Sequence, residues 1–208
     1  MITRKIIFYG SEGAWSGDDE GIVSLLAGWV NSDVPQEKCS LLIRPHFSEK
    51  NRYRFNKFKS RKVVIDDNFT ASDFLYPWDP GVEETRLFTN LLYHCDVLIA
   101  VASTLTLDGV CFDKPLINVA FKILYHPKTG DDVSSIWYES DHYRWVMKAG
   151  GVDIVRSEKA LLESINTHLL NPKHKQEERK MLLAELCYKV DGKSSERIVL
   201  ILSEAAHK

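Results

Sequence analysis

No two cysteines in this sequence stand close enough to clamp a metal or staple a small fold. Cys39, Cys95, Cys111 and Cys187 are far apart, form no CxxC pair, and three of them sit inside apolar runs. They read as reduced packing residues of a reducing compartment, which excludes a disulfide scaffold and a zinc site. Net charge is almost absent as well. With 27 basic against 29 acidic residues the formal charge is -2, so no global field favours nucleic acid or an anionic membrane surface. Long hydrophobic runs are missing too: Ile6–Tyr9, after Met1–Lys5, is too short for a signal peptide, and no later stretch reaches the length of a membrane span. The expectation is a soluble, cytoplasmic protein.

The common nucleotide motifs are also lacking. Gly10, Gly13 and Gly17 follow the first apolar run, but their spacing is neither GxGxxG nor a P-loop ending in GK[ST]. Dehydrogenase, kinase and ATPase readings thereby lose their main support. The seven histidines do not pair with one another or with carboxylates at ligand spacing, so neither a metal nor a cofactor is expected. There is no internal repeat, low-complexity tract or linker.

What is present is enough for a core. In 208 residues, 44% are hydrophobic and 11% aromatic, which favours one compact domain over residues 1–208. Short apolar runs bounded by charge, at Lys5–Tyr9, Cys39–Ile43, Val63–Ile65, Val97–Val101, Leu116–Ala120 and Val152–Val155, read as strands buried on both faces of a parallel sheet. Helical spacing connects them: Ile22, Leu25, Leu26 and Trp29; then Val82–His94 with Leu87, Leu91 and Leu92; then Arg144–Ala149. Ser157 caps a helix carrying Leu161, Leu162, Ile165 and Leu169, and two further helices, about Pro172–Val190 and Ser194–Ala206, complete the chain. The predicted class is α/β: a doubly wound, mainly parallel, Rossmann-like sheet with helices on both faces and C-terminal helices.

In such sheets ligands bind beyond the carboxyl ends of the strands. The loops that qualify are Gly10–Gly17, Arg44-Pro45-His46, Asp66-Asp67-Asn68, Ala102–Thr106 and Lys122–His142. The turn Ala102-Ser103-Thr104-Leu105-Thr106 joins a buried strand to a helix, so free amides, a helix dipole and three hydroxyls converge, a combination suited to phosphate or pyrophosphate. Taken alone, Ser103 could equally be an N-cap. His46, at a strand end, could donate a hydrogen bond to a diphosphate, act as a general acid, or simply hold structure. His142 and Tyr143 precede a helix, where Asp141 could be its cap. The first-loop glycines could admit a ligand or serve only the turn. The basic and aromatic stretch from Lys50 to Lys62, with Tyr53, Phe55 and Phe58, reads as a solvated loop, and nucleic acid is not expected as a partner.

The run Asp96–Phe121, preceded by Arg44-Pro45-His46 and followed by Asp191-Gly192-Lys193-Ser194-Ser195-Glu196-Arg197-Ile198, resembles the C-terminal donor domain of bacterial surface-polysaccharide glycosyltransferases of the two-Rossmann-domain (GT-B) type. The likeness is strongest to the group with the CDP-glycerol glycerophosphotransferases. It implies a nucleotide-sugar or CDP-glycerol-like donor. Ser103, Thr104 and Thr106 would meet its phosphates, aided by Gly10, Gly13, Arg44 and Tyr143, and His46 and His142 would be the catalytic candidates. Phe47 departs from the proline that often follows this histidine. The resemblance further implies an acceptor half absent from this chain, supplied by an N-terminal domain or partner chain, and a peripheral approach to the membrane through a lipid-linked acceptor. Two other readings fit the same layout: a sugar-nucleotide 2-epimerase, and a non-catalytic module that holds a partner through the cleft or through Phe55, Phe58 and Trp78.

Overall fold

A computed structural model describes residues 4–13, 19–47, 49, 51, 53–66, 81–121 and 137–207. Ser16, Gly17, Asp67, Asn68, Trp78 and most of the Lys122–His142 loop lie outside the described residues. The apolar runs form six strands: β1 (Lys5–Gly10), β2 (Cys39–Arg44), β3 (Val63–Ile65), β4 (Val97–Ala100), β5 (Leu116–Val119) and β6 (Asp153–Val155). All pairs are parallel, in the order β3-β2-β1-β4-β5-β6. This is a doubly wound, Rossmann-like α/β sheet, entirely parallel where the sequence predicted mainly parallel.

Parallel strands covered on both sides need apolar residues at every position rather than at alternate ones. β4 and β5 meet that demand with VLIA and LINV, buried throughout. Only Asn118 in them carries a polar side chain. In β1, Ile7, Phe8 and Tyr9 are fully buried, each contributing about 1.5–3 kcal/mol of hydrophobic stabilisation.

Seven α-helices occur among the described residues: α1 (Asp19–Asn31), α2 (Val82–His94), α3 (Leu105–Cys111), α4 (Arg144–Ala149), α5 (Glu158–Leu170), α6 (Gln176–Leu186) and α7 (Ser194–Ala206). The Ser157 side chain accepts the Ala160 amide, the predicted cap of α5. α6 is shorter than the predicted Pro172–Val190 span. Lys175 and Tyr188 take left-handed backbone angles, φ 57° and 59°, and these bracket the helix. Within α6, buried Arg179 donates to Asp113 Oδ1 at 3.0 Å and to the carbonyls of His174 (2.6 Å) and Pro172 (3.0 Å), which ties the turn before α6 to the end of α3.

The basic stretch is held against α1. Arg54 pairs with Glu20 and Glu49, Lys57 with Glu20, and Lys62 with Asp33 and the carbonyls of Val30 and Asn31. α7 differs from the other long helices. None of its residues is buried, and Ile198 to Leu202 are each 58–65% exposed. Among the described residues, no helix is long and apolar enough to cross a membrane.

Candidate functional site

Strand order reverses between β1 and β4, so the loops leaving these two strands diverge and open a crevice at their carboxyl ends. A cavity of about 440 Å³ lies there, within the size range of small-molecule sites. Gly10, Ser11 and Glu12 line it from β1, and Ser103, Thr104 and Leu105 from β4. Arg44, Pro45, His46 and Phe47 come from β2. α2 closes one side with Glu84, Thr85, Phe88, Thr89 and Leu92, and α3 adds Asp108, Cys111 and Phe112.

The β1 loop is pinned by Asp19, the first residue of α1. Its fully buried carboxylate accepts the Tyr9 hydroxyl at 2.6 Å and the amides of Glu12 (3.0 Å) and Gly13 (2.9 Å). Gly13 sits at φ 59°, where a side chain would be strained, and this turns its amide toward Asp19. A Cβ on Gly10 would lie 2.1 Å from Leu105 Cδ2, so the glycine lets α3 close directly over the end of β1. The Ser11 hydroxyl accepts the His46 amide at 2.9 Å, joining the β1 and β2 loops.

Ser103 and Thr104 stand at the entrance of α3. The Ser103 hydroxyl accepts the Leu105 amide at 3.3 Å, a bond within the turn, while Thr104 and not Ser103 is the N-cap of α3; Ser103 also lines the cavity. Thr104 is exposed and makes no side-chain cap bond. Ser103, Thr104 and His46 all line the same cavity. Burial, against a smaller upward influence of Glu49, pushes the half-buried His46 imidazole down from its usual range. It is therefore neutral near pH 7.

Arg44 lines the cavity with its charge already engaged. Its guanidinium donates to Asp66 Oδ2 at 2.6 Å, pairs with Glu84 and lies 4.8 Å over the Phe88 ring. Thr106 and Tyr143 are brought together, but behind the cavity wall. The Tyr143 hydroxyl lies 3.0 Å from Thr106 Oγ1 and accepts from Asn118 Nδ2 at 2.5 Å, while the Tyr138 hydroxyl donates to the Val119 carbonyl at 2.9 Å. Burial pushes both phenols well above their ordinary range. This buried cluster fastens α3 and the segment before α4 to β5. Neither Thr106 nor Tyr143 lines the cavity, nor does Gly13. His142 is exposed on the surface, also away from the lining, with its ring 6.3 Å from that of Tyr143.

Three carboxyls that no sequence motif marks line the cavity: Glu84, paired with Arg44, and Glu12 and Asp108. Burial, with a smaller contribution from Asp19, pushes Glu12 up to about 7 against the lowering effect of a hydrogen bond with Ser103. Asp108 is exposed, and its partial enclosure by the cavity raises its carboxyl above the usual range. The only available signal for Glu12 was its place two residues beyond a buried strand. Among the described residues, no group of three His, Cys, Asp or Glu side chains could hold a metal ion.

The arrangement can bind an anion between hydroxyls and a neutral imidazole, with carboxyls able to exchange protons near neutrality. No curated protein sequence matches the chain. Among solved structures, it is similar to the wall teichoic acid polymerase TagF soaked with CDPG, at 16% identity and TM-score 0.55, covering 97% of this chain and 41% of that one. It is similar to the UDP-GlcNAc 2-epimerase of Neisseria meningitidis bound to UDP-GlcNAc, at 14% identity and TM-score 0.57, with 98% and 45% covered. A third likeness is to a putative UDP-N-acetylglucosamine 2-epimerase of Listeria monocytogenes, at 14% identity and TM-score 0.58, with 99% and 46% covered. At these identities the likeness establishes the fold alone, a doubly wound, Rossmann-like α/β sheet. The chain spans less than half the length of each of these structures. The family model described as CDP-Glycerol:Poly(glycerophosphate) glycerophosphotransferase matches residues 32–204, most of the sequence, and the chain belongs to that family.

Proposed function

We propose that this chain binds the nucleotide-diphosphate donor of a glycosyltransferase-like transfer, a CDP-glycerol-like molecule or a nucleotide sugar, in the cavity between the β1 and β4 loops. The observation that carries this reading is that Ser103, Thr104 and His46 line one cavity of about 440 Å³, in a family named for transfer from CDP-glycerol. The Ser103 and Thr104 hydroxyls at the start of α3 donate to the diphosphate oxygens. His46, neutral near pH 7, donates a hydrogen bond to a phosphate oxygen.

For a CDP-glycerol-like donor, an acceptor hydroxyl attacks the phosphorus that carries glycerol. A new phosphorus–oxygen bond forms, the anhydride bond breaks, the nucleotide monophosphate leaves, and the acceptor proton passes to a base. That base and the acceptor come from another domain or a partner chain. Supporting this, the chain matches under half the length of its solved relatives, and α7 carries exposed Ile198–Leu202. The reading sets the protein in the cytoplasm, with free cysteines, approaching the membrane only through its acceptor.

Calorimetry and thermal shift with CDP-glycerol and UDP-N-acetylglucosamine test the reading. Donor at 100 times its Kd stabilises the fold by about 2.7 kcal/mol. The double substitution Ser103→Ala with Thr104→Ala is expected to weaken binding at least about tenfold, the loss of about 1.4 kcal/mol of hydrogen bonding. Unchanged affinity refutes the cradle. Release of an epimerised sugar from the UDP-linked probe favours the epimerase reading instead.

A further inference from the structure

Among the described residues, Arg44 supplies the one fixed positive charge in the cavity lining. Its side chain is 12% exposed, and a cation so enclosed is tolerated only when acceptors take its donors. Asp66 and Glu84 do so from different sides. Asp66, whose side chain is 5% exposed, accepts from Nη1 at 2.6 Å and forms no part of the lining. Glu84 on α2, 19% exposed, accepts from Nη2 and does line the cavity. The Phe88 ring, one turn further along α2, has its centroid 4.8 Å from the guanidinium carbon. The guanidinium is therefore anchored by a buried carboxylate outside the cavity and an aromatic ring, while its acceptor within the lining is a side chain on a largely exposed helix. Of the three carboxyls in the lining, Glu84 is the one in an ion pair among the described residues.

Resting on the donor-binding reading, we infer that Glu84 is an internal competitor for Arg44: it holds the guanidinium until a phosphate oxygen of the donor takes its place. No covalent bond changes in the exchange. The planar fork of a guanidinium fits phosphate as well as carboxylate, and a diphosphate brings two charges where Glu84 brings one. Asp66 and Phe88 keep the guanidinium in position while its other partner changes. The displaced carboxylate is not left in a dry site. Glu84 belongs to the first turn of α2, where Val82, Glu83 and Thr85 are exposed, and Leu92, the one buried residue of that helix, lies toward its far end. The positive end of the helix dipole also favours an acid in that turn. The consequence is selection by charge. A diphosphate repays the lost ion pair with its own, whereas an uncharged nucleoside leaves Glu84 where it is.

Calorimetric titration of the full chain with CDP-glycerol, inorganic pyrophosphate and cytidine tests this. Glu84→Gln keeps the size of the side chain and removes its charge, and it is expected to tighten CDP-glycerol and pyrophosphate about tenfold while leaving cytidine within about twofold. Glu83→Gln removes the same charge from the same turn at an exposed position, and it is expected to change all three by less than about twofold. In an Arg44→Lys background, which lacks the fork, the gain from Glu84→Gln is expected to vanish. A measurement on the unaltered protein needs no variant to fold: pyrophosphate is expected to speed hydrogen exchange of the Thr85 amide, which bonds to the Gly81 carbonyl in the turn that Glu84 tethers. Unchanged or weaker anion binding by Glu84→Gln, an equal gain from Glu83→Gln, or slower exchange at Thr85 overturns the inference and leaves donor binding by the unaltered protein intact. Pyrophosphate tightened by Glu84→Gln with no binding of CDP-glycerol to either protein overturns the donor reading instead, and supports the competition for Arg44.

Discussion

Replacing Asp19 by alanine is expected to cost about 3–6 kcal/mol of stability and to dismantle the β1 loop. The side chain is fully buried and accepts three hydrogen bonds, from the Tyr9 hydroxyl and the amides of Glu12 and Gly13. Each buried donor left without an acceptor costs about 1–3 kcal/mol. The Glu12 amide adjoins the cavity and can recover a water, so the sum falls below the maximum. Burial, the largest influence, pushes the Asp19 carboxyl above its usual range despite those bonds, so holding the charge already offsets part of their gain. Against a whole-domain stability of about 5–15 kcal/mol, the loss is large. Tyr9→Phe is the control: it removes one donor, leaves two amides on the carboxylate and costs about 1 kcal/mol. Equilibrium urea unfolding followed by circular dichroism measures both. If Asp19→Ala lies within about 1 kcal/mol of the unaltered protein, the carboxylate is not the anchor argued here.

Other outcomes follow from the same contacts. Gly28, inside α1, has open space where a Cβ would stand, so Gly28→Ala should raise the urea midpoint, worth about 0.5–1 kcal/mol. A Cβ on Gly151 meets backbone atoms, Arg179 N at 2.9 Å and Glu178 C at 3.0 Å, so Gly151→Ala should cost about 1–3 kcal/mol in the same assay. Arg44→Met strips the guanidinium from buried Asp66 and from Glu84, and should cost about 3 kcal/mol, read as a lower melting temperature. For Asp153, burial works to raise the carboxyl, but hydrogen bonds from His168, Lys175 and Ser164 overrule it and hold the group well below the usual carboxylate range. Its folded value is depressed, so its contribution is complete above about pH 4 and fades as pH falls toward the folded value. Asp153→Asn should lower stability at pH 7 and flatten the acid limb of a melting-temperature profile.

Strand positions were legible because a strand covered on both faces must be apolar at each residue, and VLIA or LINV says so without help from distant parts of the chain. Helices with one buried stripe were equally readable from spacing. The site was legible in outline for a related reason. Strand ends in a parallel sheet converge, so His46, Ser103 and Thr104 could be named from where their strands stop. The extent of α6 was less readable, since left-handed Lys175 and Tyr188 bound it rather than a proline or glycine.

Thr106 and Tyr143 show where local reading runs out. Both followed strands or preceded a helix in a way that suits ligand contact, yet buried hydrogen bonds with Asn118 on β5 and with each other hold them, and neither lines the cavity. Glu12 shows the converse. Nothing in Gly-Ser-Glu-Gly marks an acid that holds its proton near neutrality, because that property arises from burial beside Asp19 and Ser103, residues brought together by three separate segments. Apolar period and strand-end position are properties of neighbours along the chain, and they sufficed for the α/β architecture and the end of the sheet where the cavity opens. Solvent exposure, charge pairing and proton affinity depend on groups far apart in sequence, and these separated the residues that face the cavity from those that support its wall.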